Sequence, residues 1–140
     1  MSAEFFLDTN VIVYSFDQGA IEKRNIARDL IESSLETGRG VLSTQVIQEF
    51  LNLATRKFKT VMTPEMARVY MQDVLEPICS VTTTIDLMHR ALGIHERWKF
   101  AYYDSLIVAA ALTAGCKTLY TEDLQSGQVI EGLEVANPFV

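Results

Sequence analysis

The sequence predicts an α/β protein in which helices pack on a mostly parallel sheet of four to five strands, with residues 1–140 forming one domain. Three observations predict it. Short apolar runs of strand length alternate with longer segments of helical period. No internal repeat, low-complexity stretch or Pro/Gly/Ser linker divides the 140 residues. Apolar residues make up 49% of the chain and charged residues 21%, enough for one core inside a soluble surface.

The elements follow in order. Glu4 to Leu7 reads as a short buried strand. Val11 to Tyr14 either extends it or begins a helical turn. Ile21 to Leu35 is helical, because Ile21, Ile26, Leu30, Ile31 and Leu35 recur at roughly helical spacing. Thr37-Gly38-Arg39-Gly40 stops that helix. Val41 to Ser43 is the second strand. Thr44 is placed to cap a helix over Gln45 to Arg56, with Gln48 near the position of a capping-box partner. Thr63-Pro64-Glu65 starts another helix, proline falling in its first turn, and that helix runs to about Leu75, before Pro77. Ile78 to Val81 is the third strand. Ile85 to Trp98 and Asp104 to Ala114 are helices, the second closed by Gly115. Thr118 to Tyr120 is the fourth strand, and Leu133 to Ala136 is a candidate fifth.

Composition narrows the function. The formal charge is −6, whereas a protein that coats nucleic acid by charge alone is usually basic. An enzyme whose acidic site is neutralised by metal ions remains compatible. No basic residue precedes Lys23, so no secretory signal is read, and a cytoplasmic location is expected. The longest apolar run, Leu106 to Leu112, is far short of the roughly 20 residues that span a bilayer. Cys79 and Cys116 lie far apart in apolar surroundings, which predicts two buried thiols rather than a disulfide or metal site.

The acidic residues carry the chemistry. Asp8 stands between the apolar runs Phe5-Phe6-Leu7 and Val11-Ile12-Val13, where an unpaired carboxylate costs several kcal/mol. Asp123 follows the fourth strand, Asp104 opens the helix leading into that strand, and Glu49 flanks the apolar face of the helix after the second strand. In parallel sheets the working residues collect beyond the carboxyl ends of the strands. Four carboxylates are therefore expected to converge there. Such a cluster repels itself and raises its own pKa values unless a cation occupies it. Oxygen ligands suit Mg²⁺ or Mn²⁺ rather than Zn²⁺. Taken singly, Asp104 also reads as a helix N-cap, Asp123 as a turn residue near Gly127, and Glu49 as a solvated helix residue.

In combination, FFLDTNVIVYSFD, then STQVIQEFLN, then YYDSLIVAAALTAGCKTLYTEDLQSG resemble the PIN-domain ribonucleases, and most closely the VapC-type toxins of type II toxin–antitoxin pairs. The resemblance extends over essentially the whole chain, including the closing Asn137-Pro138-Phe139. It implies a PIN-like three-layer α/β/α sandwich and RNA hydrolysis supported by Mg²⁺ or Mn²⁺. By motif, Asp8, Glu49, Asp104 and Asp123 are the implied catalytic acids, with Asp8 and Asp104 as metal ligands. Asn10 and Thr44 match positions that hold these carboxylates in place, as does Thr121, and Thr9 with Asn10 braces Asp8. Glu122 competes with Asp123 for the inward position, and the family pattern favours Asp123. A homodimer and a small antitoxin partner are implied as well.

Other readings lose their motifs. His95-Glu96 lacks the second histidine of H-E-x-x-H, since position 99 is Lys99. No glycine-rich phosphate loop occurs. Ser105 has neither a G-x-S-x-G setting nor a histidine partner. A phosphoryl-transfer enzyme with a nucleophilic Asp8 requires a second acid at position 10, which is Asn10. A non-catalytic PIN-fold module binding RNA or protein is the alternative within the same fold. Basic clusters at Lys23, Arg24 and Arg28 and at Arg56, Lys57 and Lys59 are either solvated helix ends or contacts for RNA phosphates. Trp98 and Phe100, around Lys99, offer a stacking surface for a base.

Overall fold

The computed structural model describes residues 2–140. Its elements run β1 (Phe5–Leu7), α1 (Thr9–Tyr14), α2 (Ile21–Thr37), β2 (Gly40–Ser43), α3 (Thr44–Ala54), α4 (Pro64–Tyr70), a π-helical segment (Met71–Leu75), α5 (Glu76–Ile78), β3 (Cys79–Val81), α6 (Ile85–Trp98), α7 (Tyr102–Thr113), β4 (Thr118–Tyr120), β5 (Val129–Ile130) and β6 (Leu133–Ala136). The α/β sandwich is as expected, but the sheet has six strands, in the order β3-β2-β1-β4-β6-β5. All pairings are parallel except β5 with β6.

The extra strand belongs to a hairpin. Glu131 and Gly132 both have positive φ, 51° and 88°, the backbone of a two-residue turn that matches strand twist. Glutamate is an unusual residue there, and β5 is only two residues long, so the sequence pattern does not reveal it.

Burial explains the layers. All four residues of β2 are buried, as expected for a strand covered on both faces. Helix α7 is buried continuously from Ser105 to Ala111. Its alanines let it lie close against β2 and β4, which it contacts, while α6 packs along its outer side. Phe6, Leu7, Leu42, Val108, Leu119 and Val135 are fully enclosed at the centre. Gly40 allows β2 to pass close to its neighbours, because a Cβ there would overlap the Ser34 hydroxyl and the Phe5 ring.

Several boundaries move. Ser43, not Thr44, is the N-cap of α3, its Oγ accepting from the Val46 N–H. Gln48 is therefore not a capping partner. Asp104 is not an N-cap: α7 starts two residues earlier, after Ala101, and Asp104 lies in its first turn. The helix after Thr63 continues past Leu75 to Ile78. Pro77 has no N–H and its ring crowds the carbonyl four residues back, and the π-helical segment just before it widens the helix there.

The strand order places the site. From β1 the sheet grows outward through β2 and β3, then returns to the other side of β1 for β4. The carboxyl ends of β1 and β4 thus flank the point where the direction of winding reverses, where such sheets leave an open crevice.

Candidate active site

Asp8 follows directly on β1. Its backbone N–H donates to the Tyr120 carbonyl at 3.1 Å, continuing the β1–β4 pairing by one residue. The side chain caps α1, Oδ1 accepting from the Thr9 N–H at 2.7 Å. Oδ2 accepts from the Thr121 hydroxyl at 2.7 Å. Asp8 is only 5% exposed. Burial pushes its carboxyl up from 3.8 to about 7, the hydrogen bonds from Thr121 and Thr9 oppose this, and the charges of Asp123 and Glu49 add to it.

Thr121 joins the two strand ends. It is fully buried. Besides donating to Asp8, its oxygen accepts from the Asp123 N–H at 3.1 Å and from Asn10 Nδ2 at 3.4 Å. A hydroxyl has one proton and two lone pairs, so all three are in use. Asn10 Nδ2 also donates to Asp123 Oδ2 at 3.2 Å, which draws that carboxylate toward the crevice. Glu122 is held apart from this network, both its oxygens accepting from the Tyr14 hydroxyl at 3.0 and 3.1 Å.

From α3, Glu49 accepts through Oε1 from the Thr9 hydroxyl at 2.9 Å. It is half-buried, and burial raises its pKa, with the charges of Asp104 and Asp123 adding to the effect. Asp104 is also raised, first by burial and then by Asp123. The four carboxylates thus fall within one electrostatic neighbourhood. No cationic side chain lowers Asp8, Glu49 or Asp104 among the described residues.

Thr44 does not brace a carboxylate. Its hydroxyl accepts from the Thr83 N–H at 3.1 Å and ties the start of α3 to the segment before α6. The polar residue on α3 that reaches the carboxylates is Gln45, which no motif in the sequence singles out. Its Nε2 donates to the Tyr103 carbonyl at 3.1 Å and lies 3.4 Å from Glu49 Oε1, so it links α3 to the first turn of α7. Its only signal in the sequence is its place one helical turn before Glu49.

The donor set fits a hard divalent cation. It is all oxygen, each Asp8 oxygen keeps an unused lone pair, and the amide oxygens Asn10 Oδ1 and Gln45 Oε1 are buried without a partner in the protein. Among the described residues no three acidic, histidine or cysteine side chains close into a cage. An open arrangement is the usual one for Mg²⁺, which is commonly held by one or two carboxylates, with water and substrate phosphate in its other positions.

Other candidates lie apart from this chemistry. Cys116 is a buried free thiol pushed up to about 12 by burial, and Cys79 is free and half-buried. Trp98 and Phe100 stack on each other, centroids 6.5 Å apart. His95 Nδ1 contacts the Phe100 carbonyl.

The sequence matches the PIN domain family over residues 5–129. No curated protein matches it. Among solved structures, it is similar to a toxin–antitoxin complex from Klebsiella pneumoniae, with a TM-score of 0.65, 21% identity and 98% of both chains covered. It is similar also to Mycobacterium tuberculosis VapC20, described as a sarcin–ricin loop cleaving toxin, with a TM-score of 0.64, 20% identity and 86% of this chain and 90% of that chain covered. A third is VapBC2 from Rickettsia felis, bound to a DNA fragment from its promoter, with a TM-score of 0.63, 14% identity and 95% and 97% covered. At these identities the structural likeness establishes the fold, and the family match covers most of the chain. The chain belongs to the PIN domain family.

Proposed function

We propose that the protein is a Mg²⁺- or Mn²⁺-dependent endoribonuclease, the toxin of a toxin–antitoxin pair. The observation that carries the reading is Asp8. It is a buried carboxylate oriented at both oxygens, with a pKa raised to about 7 and other acids nearby. A fold that keeps so costly a group unpaired by any cationic side chain uses it to bind a cation.

Asp8 and Asp104 are the proposed ligands. A divalent ion bound there supplies Lewis acidity toward a phosphate oxygen and lowers the pKa of a water. The chain's own residues do the rest. Thr121 and the Thr9 N–H fix the Asp8 rotamer, and Asn10 holds Asp123. Glu49, its pKa raised, is placed to take a proton from an attacking water, while the Thr9 hydroxyl fixes its direction.

Toxin–antitoxin complexes among the similar structures support an antitoxin partner. Exposed apolar side chains at Met66 and Val69 on α4 and at Ile85, Met88 and Leu92 on α6 support protein contacts, including a homodimer. Among the described residues no helix is long and apolar enough to cross a membrane.

Cleavage of RNA by the pure protein with Mg²⁺, Mn²⁺ or a chelator tests the reading. The Asp8→Asn/Asp104→Asn double variant is expected to lose at least about a hundredfold in rate. Cleavage by that variant at the wild-type rate ends the proposal.

A further inference from the structure

A cleft of about 480 Å³ opens beside the carboxylates, within the range of about 300–1,000 Å³ typical of ligand sites. Helix α1 lines it with Asn10, Val13 and Tyr14, and α3 with Glu49, Asn52 and Leu53. Spacings of three and four put each trio on one helix face. Val13 and Leu53 supply apolar surface. Asn52 is exposed and its amide makes no hydrogen bond among the described residues. Glu122 also lines the cleft, its carboxylate held by the Tyr14 hydroxyl. Tyr14 is itself braced, with Lys23 Nζ 4.8 Å from its ring centroid and the Phe139 ring at 4.7 Å.

We infer that this cleft reads the base of the nucleotide next to the cleaved bond, and selects a base with an exocyclic amine (adenine or cytosine) over its carbonyl counterpart (hypoxanthine or uracil). The inference rests on the ribonuclease reading. Glu49, Glu122 and Asp123 repel a phosphate from the cleft, whereas Val13 and Leu53 offer apolar surface to a flat base. The group at its edge that can only accept is the Glu122 carboxylate, whereas the exposed Asn52 amide offers donor and acceptor alike. An amine donates a hydrogen bond to Glu122. A carbonyl at the same place sets oxygen against the carboxylate and gains no hydrogen bond from it. Lys23 stands at the Tyr14 side to meet a neighbouring phosphate.

Short single-stranded RNAs in matched pairs, differing at one position by adenine against hypoxanthine or cytosine against uracil, test it. Equilibrium binding to the intact protein at low salt without metal is measured first, then cleavage with Mn²⁺. The amine-bearing RNAs are expected to bind and be cleaved about tenfold better. Glu122→Gln, at an exposed position where folding is undisturbed, is expected to bring that ratio toward one. Equal binding and cleavage of each pair overturns the inference, as does a preference that Glu122→Gln retains. An amine preference in binding without cleavage keeps the base subsite and removes the nuclease reading, and cleavage without preference does the reverse. Neither binding nor cleavage removes both.

Discussion

The Thr121 hydroxyl donates to Asp8 Oδ2 at 2.7 Å across 113 positions of sequence. The two residues follow the ends of neighbouring strands, so the β1–β4 pairing itself brings them together. Because the same oxygen accepts from the Asp123 N–H and from Asn10, one buried hydroxyl sets the positions of two carboxylates.

Thr121→Val keeps the shape and removes all three bonds. It leaves the Asp8 oxygen and the Asp123 N–H without that partner, at an expected cost of about 1–3 kcal/mol. Thr121→Ser retains the bonds and should lose less than half of that. Urea unfolding of the three proteins, with RNA cleavage alongside, measures both effects.

Without metal, Asp8 gives stability a definite pH dependence. The native carboxyl keeps its proton up to about pH 7, while the unfolded chain releases it near 3.8. Between those values the native state binds more protons, so stability falls as pH rises and levels off above about 7. The difference corresponds to roughly 4 kcal/mol as an upper bound. Glu49 and Asp104, also raised, act in the same sense. Asp8→Asn should be more stable than wild type at neutral pH and show a flatter profile. Denaturant melts in chelator from pH 4 to 8 would show it.

A divalent ion that binds the folded carboxylates alone stabilises them by mass action. At a hundred times its Kd the gain is about 2.7 kcal/mol. Thermal unfolding should therefore shift upward by several degrees with Mn²⁺ at neutral pH, and the shift should vanish in Asp8→Asn/Asp104→Asn. An equal shift in that variant would place the ion elsewhere.

Gln45→Leu removes the link from α3 to the Tyr103 carbonyl together with a buried unpartnered amide oxygen. These effects offset, so stability should change by less than about 1 kcal/mol. Glu49 loses a neighbour that fixes its direction. The expectation is a fall in kcat of about tenfold with KM little changed, because in the proposed mechanism Glu49 acts on the attacking water and not on RNA binding.

Gly40→Ala places a methyl group against the Ser34 hydroxyl and the Phe5 ring. The Phe5 ring, on the strand that leads to Asp8, and the Ser34 hydroxyl must give way. A loss of about 1–3 kcal/mol is expected, and Phe5→Leu in the same chain should restore part of it. Thermal melts of the single and double variants decide.

Much of the layout is legible from residue order. The alternation of apolar runs with helical periods gives the parallel sheet, and Asp8 between two buried segments announces a polar group held for a purpose. The hairpin at Glu131-Gly132 escapes notice because its strand is two residues long and its turn breaks residue preference. The start of α7 is misplaced because Asp104 resembles a cap, while the structure leaves Ala101 there without a side-chain bond. Thr44 and Ser43 are both good caps, and local chemistry cannot choose between them. The choice is settled by Thr83, which engages the Thr44 hydroxyl from another part of the chain.

By itself, the sequence determined that aspartate and threonine would follow strands one and four, that Glu49 would flank a buried helix face, and that the chain would be an α/β protein. These follow from local periodicity and from what burial tolerates. Only the tertiary structure decided that Asp8 and Thr121 share a proton, that Asp123 turns inward while Glu122 pairs with Tyr14, and that Gln45 rather than Thr44 reaches Glu49. The first two depend on contacts between segments 108 to 113 residues apart, and the third is a choice between adjacent side chains; strand order and packing set them, and no local preference encodes them.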